Sequence, residues 1–196
     1  MGLESQERSE NTFLSANDFE FITFLILVGP FVLMMPYLFL RALISLLSLF
    51  IYFRLLGKNI WFGDLRSGVA SSSLAFIMTL PFLTFADLEY SNASPLEMIR
   101  ALLQQIAISL WEESFFRGAL SKSAFQFTLS SSIFSFMHSL NPGFSLLPLI
   151  NLFIMGIFLC FLRIRLGLLS SISFHFSWNL FLEHLWGFPV SGILGV

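Results

Sequence analysis

Charge is the scarcest property of this sequence. Only 11% of its 196 residues are Asp, Glu, Lys or Arg, against about 25% in soluble domains. Cysteine is nearly absent: Cys160 stands alone, which excludes an internal disulfide and a CxxC metal site. The formal charge of −2 provides no basic surface for nucleic acid. Twelve Gly and seven Pro are too few for a collagen-like or low-complexity chain. What is present is apolar: 56% of residues are hydrophobic, 26 of them Phe, and mean hydropathy is +0.83. A chain of 22.3 kDa has no interior large enough to hide so much apolar surface. A polytopic membrane protein remains.

Uncharged runs set the organisation. Phe21 to Leu40 and Ser67 to Ala86 each run 20 residues, and Ser123 to Leu162 runs 40. As one helix the last would reach about 60 Å, twice the hydrocarbon thickness. It must fold back, and Asn141-Pro142-Gly143 is its strong turn signal. Backbone in lipid must be satisfied within its own segment, and strand-like alternation is absent, so the spans are helices. The expected fold is an all-α transmembrane bundle of about seven spans, near 20–40, 42–57, 67–86, 101–121, 125–140, 145–162 and 167–186. Pro30, Pro36 and Pro81 are expected to kink their helices.

Residues 1–18 read as a polar cytoplasmic segment, 19–94 as N-terminal transmembrane helices and 95–196 as a catalytic transmembrane core. On this layout Arg8, Arg54, Lys58, Arg66, Arg117, Lys122, Arg163 and Arg165 share one side, while Arg41 and Arg100 keep company with Asp87, Glu89 and Glu97 on the other. The Lys/Arg bias therefore puts the N-terminus in the cytoplasm. The acidic start is no signal peptide, and Met1-Gly2 lacks the Ser or Thr of a myristoylation site. Asn92-Ala93-Ser94 has the form of a glycosylation sequon, followed by Pro95.

Polar side chains that resist removal from lipid mark the chemistry. In Trp111-Glu112-Glu113-Ser114-Phe115-Phe116-Arg117, the adjacent carboxylates point about 100° apart on a helix and are not expected to serve one site. Arg117, four residues after Glu113, is the favoured partner for it. Glu112 is then left as an unpaired buried carboxylate, the setting of a tuned base. Phe134-Ser135-Phe136-Met137-His138 ends span five, and His175-Phe176-Ser177-Trp178-Asn179 lies in span seven. His175 and Asn179 are four apart and share a face. The bland reading of each is an interhelical hydrogen bond. Depth unites them: with turns near 124 and 165, Glu112, His138 and His175 all lie about 15–21 Å from one membrane face.

Together, Glu112-Glu113-x-x-x-Arg117, Phe134-x-x-x-His138 and His175-x-x-x-Asn179 resemble the three motifs of the CPBP family, the CAAX proteases and bacteriocin-processing enzymes also called the Abi group. His138-Ser139-Leu140-Asn141-Pro142-Gly143 and Gly187-Phe188-Pro189-Val190-Ser191-Gly192 also resemble bacterial members. The resemblance covers residues 95–195; the 26 residues from Glu112 to His138 are fewer than it leads one to expect. It implies a glutamate-dependent intramembrane endopeptidase of a bacterial plasma membrane. Glu112 would activate water with His138 assisting, His175 and Asn179 would stabilise the oxyanion, and Glu113, Arg117 and Phe134 would support them. It further implies a protein or peptide substrate with a lipidated or membrane-inserted C-terminal segment, no cofactor, no nucleic acid, and a funnel opening to the cytoplasm.

Two rivals stand beside this reading. One Glu and two His resemble a catalytic zinc set, although HExxH is absent and Asn179 would have no role in it. A non-catalytic immunity or scaffold protein, or a small transporter, would use the same residues to line a path or lock helices, although no inverted repeat is visible. Cys160 reads as packing. His184, after Glu183, reads as interfacial beside Trp186. Ser170, Ser171 and Ser173 read as small residues for close helix approach.

Overall fold

The computed structural model describes residues 14–84, 94–141 and 145–188. Their regular structure is all helical, with no strand among the described residues. The order is α1 (Ala16–Leu33), α2 (Leu38–Leu55), α3 (Leu65–Thr79) with a 3-10 turn (Leu80–Thr84), α4 (Pro95–Phe116), α5 (Ala124–Met137) with a 3-10 turn (His138–Leu140), α6 (Leu146–Leu166), and α7 (Leu168–Asn179) running into a π turn (Leu180–Leu185). Helices α1, α2, α3 with its turn, and α6 are each long and apolar enough to cross a bilayer. The remaining three are more polar or shorter, and they carry the motif residues.

The bundle mixes polar and apolar side chains inside and is apolar outside. Gln105, Glu113, Arg117, Gln126, Ser130 and Ser131 are buried, whereas Ile26, Phe31, Phe50, Leu55 and Ile154 are more than half exposed. In water this would be unstable; in lipid it places the apolar face against its own solvent. Small residues let the inner helices approach closely. A Cβ on Gly156 of α6 would meet Ser131 of α5 at 2.9 Å, and one on Gly68 of α3 would meet Ser173 of α7 at 3.1 Å.

Local signals explain the helix ends. Ser15 and Asp18 form a capping box on α1, and Ser94 and Glu97 form another on α4, each satisfying two otherwise orphaned N–H groups. The first break falls at residues 34–37, not at Arg41 as the charge pattern suggests. Pro36 lies in that break and disfavours helical backbone at Met35 before it. Of the three prolines expected to kink helices, Pro30 lies inside α1, Pro36 in the break and Pro81 in the 3-10 turn. The fourth helix also ends earlier than expected, at Phe116, with Arg117 as its C-cap. Residues 1–13, Asp87, Glu89, Asn92, Ala93, Pro142, Gly143 and the tail from Pro189 lie outside the described residues.

Side-chain and backbone ties define the two ends. At one, Lys58 pairs with Glu20, Arg163 Nη2 donates to the Gly118 carbonyl at 3.0 Å, and Gly63 abuts Gly167. This end carries Arg54, Lys58, Arg66, Lys122 and Arg165. The opposite end is formed by the α1–α2 break, the start of α4, the end of α5 and the π turn.

Candidate active site

Helix α4 delivers both carboxylates, and their partner comes from α7. His175 lies between them: Nδ1 is 2.8 Å from Glu113 Oε1, and Nε2 is 3.6 Å from Glu112 Oε2. The expectation that adjacent carboxylates cannot share a site therefore fails. They diverge by about 100°, but an imidazole has a nitrogen on each of two edges and spans the gap. Glu113 is completely buried and also accepts from Arg117 Nη1 at 3.1 Å. Glu112 keeps 7% of its surface, and its Oε2 has no hydrogen-bond partner. Glu113 Oε2 is likewise without a hydrogen-bond partner, but Glu113 is committed through Oε1 to Arg117 and His175, whereas Glu112 lines the cavity described below.

Phe134 holds the cluster together. The Arg117 guanidinium sits 4.1 Å from its ring centroid, a cation–π contact strengthened by the absence of water. The rings of His138 and His175 meet Phe134 at 4.7 Å and 6.1 Å. The C-cap of α5 places His138, whose Nδ1 is 2.7 Å from the Phe134 carbonyl. A carbonyl only accepts, so Nδ1 carries the proton of that bond and Nε2 is left to accept. The same reasoning puts a proton on His175 Nδ1, facing the Glu113 carboxylate.

Glu112, His138, His175 and Asn179 line one cavity of about 310 Å³. His175 and Asn179 also border a smaller pocket of about 60 Å³ on the α6 side, lined in part by Asn151 and Trp178. Asn179 donates to Gln105 Oε1 at 3.3 Å. Gln105 in turn donates to Glu183 Oε2 at 2.7 Å and stands 3.3 Å from His184 Nε2. His184 is therefore tied into the helix bundle through Gln105. Gln105 and Glu183 were not singled out from the sequence. Their spacing offered a signal: Gln105 precedes Glu112 by two helical turns, and His175, Asn179 and Glu183 follow one another at i, i+4, i+8.

Arg41 is the other residue the sequence reading passed over. It reaches the cavity from α2, beside Trp111. Its presence, with Asn141 and Glu183, shows that the cavity runs toward the end of the bundle opposite Arg54, Lys58 and Arg66. Helix α1 begins at the other end, beside Lys58. Among the described residues, no three His, Cys, Asp or Glu side chains are grouped to hold a metal ion. Cys160 is buried at Ser130 and Ser131, away from the cavity lining.

Residues 94–181 match the family model described as Rce1-like, type II CAAX prenyl endopeptidase. The matched segment begins at the cap of α4 and ends in the π turn, so it contains every motif residue above. No curated protein and no solved structure matches the chain.

Proposed function

Because residues 94–181 match the Rce1-like, type II CAAX prenyl endopeptidase family model, we propose that the chain hydrolyses a peptide bond inside the membrane with Glu112 as general base. The observation that carries this reading is the face-to-face placement of Glu112 and His175 at 3.6 Å on a shared cavity, with Glu112 Oε2 unpartnered. A water from the shared cavity would give a proton to Glu112, helped by the accepting Nε2 of His138. Its oxygen would attack the scissile carbonyl, and the proton would pass to the departing amine as the C–N bond breaks. His175 Nε2, when the ring carries both protons, and the Asn179 amide would donate to the oxyanion. A ring protonated on both edges complements the carboxylates on both sides. Glu113, Arg117 and Phe134 would hold His175 and shield the cluster from lipid.

Orientation bears on what is cut. If the basic end faces the cytoplasm, as the Lys/Arg bias requires, the cavity opens on the extracytoplasmic side. The substrate is then a peptide or protein tail presented there, lipidated or membrane-inserted. Cys160 is buried, so single cysteines report topology cleanly: an impermeant maleimide on intact cells should label Tyr37→Cys and spare Lys58→Cys. The reverse pattern would restore the cytoplasmic funnel.

The cleavage reading is tested by comparing the termini of membrane and secreted proteins from cells carrying wild type or Glu112→Gln. A new terminus present only with wild type supports it and names the substrate. A Glu112→Gln protein that folds and retains full biological function would instead favour the scaffold or immunity reading.

A further inference from the structure

Arg41 is a half-buried cation on the cavity wall, and no carboxylate lies within ion-pair distance of it among the described residues. Its Nη2 donates to the Met35 carbonyl at 2.7 Å, and its guanidinium stacks 5.0 Å from the centroid of Trp111. These contacts fix the group in place without neutralising it. Its Nε is buried and has no hydrogen-bond partner. The helix behind it adds to the imbalance: Tyr37, the N-cap of α2, makes no side-chain cap bond, and Leu38 of its first turn lines the same cavity. The unsatisfied N–H groups of a helix start carry partial positive charge. An unpaired charge within a membrane domain is costly and marks a ligand path or site, and a guanidinium is matched in shape by a carboxylate.

We propose that Arg41, with the uncapped start of α2, binds a carboxylate of the substrate peptide. The proposal rests on the peptidase reading for its role in catalysis, but the binding itself can be tested without turnover. Arg41 touches Trp111, the neighbour of Glu112, and a peptide advances at most about 3.3–3.6 Å per residue. A carboxylate held there lies within a few residues of the bond presented to Glu112. If it is the chain terminus, the enzyme removes a short C-terminal piece; if it is an acidic side chain, the site reads an internal residue near the cut.

The test uses the full chain with Glu112→Gln in lipid nanodiscs and a fluorescent apolar tetrapeptide in three forms. These are the C-terminal acid, the C-terminal amide, and the amide with one residue replaced by Glu. The acid should bind about tenfold or more tightly than the plain amide, the range of a charge-assisted bond. Arg41→Gln should erase that preference, and Arg41→Lys should keep part of it. Tighter binding of the amide with Glu than of the acid assigns the subsite to a side-chain carboxylate, equal binding shows that it takes either, and weak binding of that form assigns it to the chain terminus. Equal binding of acid and both amides, or a preference that survives Arg41→Gln, overturns the proposal. If the acid preference is present but wild type cuts none of the peptides, the peptidase reading fails alone.

Discussion

His175 turns its Nδ1 to Glu113 at 2.8 Å, a carboxylate already held by Arg117. The ring is therefore oriented by a group that never meets the cavity, and only Nε2 is offered to chemistry. This division of labour separates the effects of two neighbouring carboxylates.

Glu112→Gln should fold as wild type and lose about 10²–10⁴-fold in kcat, because general-base catalysis contributes that much. Glu113→Gln should act first on stability. It leaves the fully buried Arg117 without its anion, a loss of about 3–5 kcal/mol for one partner of a buried pair. Thermal unfolding in detergent beside single-turnover rates would show the contrast. A Glu113→Gln protein as stable as wild type would mean that cation–π contact with Phe134 suffices for Arg117.

Gln105 is expected to act through Asn179. Gln105→Leu removes the acceptor that orients the Asn179 amide and leaves Glu183 without its 2.7 Å donor. The expected result is a roughly tenfold fall in kcat with little change in KM, since an oxyanion donor works mainly in the transition state. Exchanging the two groups, Gln105→Glu with Glu183→Gln, keeps a donor facing an acceptor across that bond and should recover part of the rate. No recovery, with intact folding, would show that Gln105 only fills space.

Much of this was legible in the sequence because lipid punishes polarity. Glu112, Glu113, Arg117, His138, His175 and Asn179 stand out in apolar spans, whereas the depth count does not hold for Glu112, because α4 ends at Phe116 and not near the turn at 124. The sharing of His175 by two carboxylates was not legible, because helical angles describe where side chains leave the backbone and not what a ring can bridge. The charge pattern puts the first break at Arg41, whereas Pro36 moves that break earlier and leaves Arg41 within α2. Gln105 and Glu183 lacked the contrast of an isolated charge in an apolar run, and Glu183 turns inward through a π turn that composition does not announce. The direction of the cavity needed the packing of α2 against α4.

Chelation separates the zinc rival. His138 and His175 each commit Nδ1, to the Phe134 carbonyl and to Glu113, and catalysis by Glu112 needs no ion. Cleavage by purified protein should therefore survive an excess of 1,10-phenanthroline. Activity that is lost and then restored by zinc alone would make Glu112 and the imidazoles ligands, with a metal-bound water as nucleophile.

The start of α7 sets where His175 sits, and two glycines set the start of α7. Gly63 and Gly167 have φ of 82° and 99°, the left-handed region that side chains avoid. A Cβ on Gly63 would fall 2.1 Å from the Leu166 carbonyl oxygen, and one on Gly167 would fall 2.4 Å from Gly63 backbone. That close approach lets Leu168 and Leu169 N–H donate to the carbonyls of Trp61 and Phe62 at 3.2 and 2.8 Å, satisfying helix-start donors that no side chain caps. Gly63→Ala or Gly167→Ala should cost about 2 kcal/mol or more from strain and lost bonds. Combining them should not rescue, because each new methyl meets backbone. Gly57→Ala is the control: its φ is 64° with nothing within 4 Å of the added methyl, so only the backbone strain of about 1 kcal/mol applies. Hydrogen exchange at Leu168 and Leu169 should accelerate in the first two variants and stay slow in the third. Equal effects at all three positions would mean that α7 is anchored elsewhere.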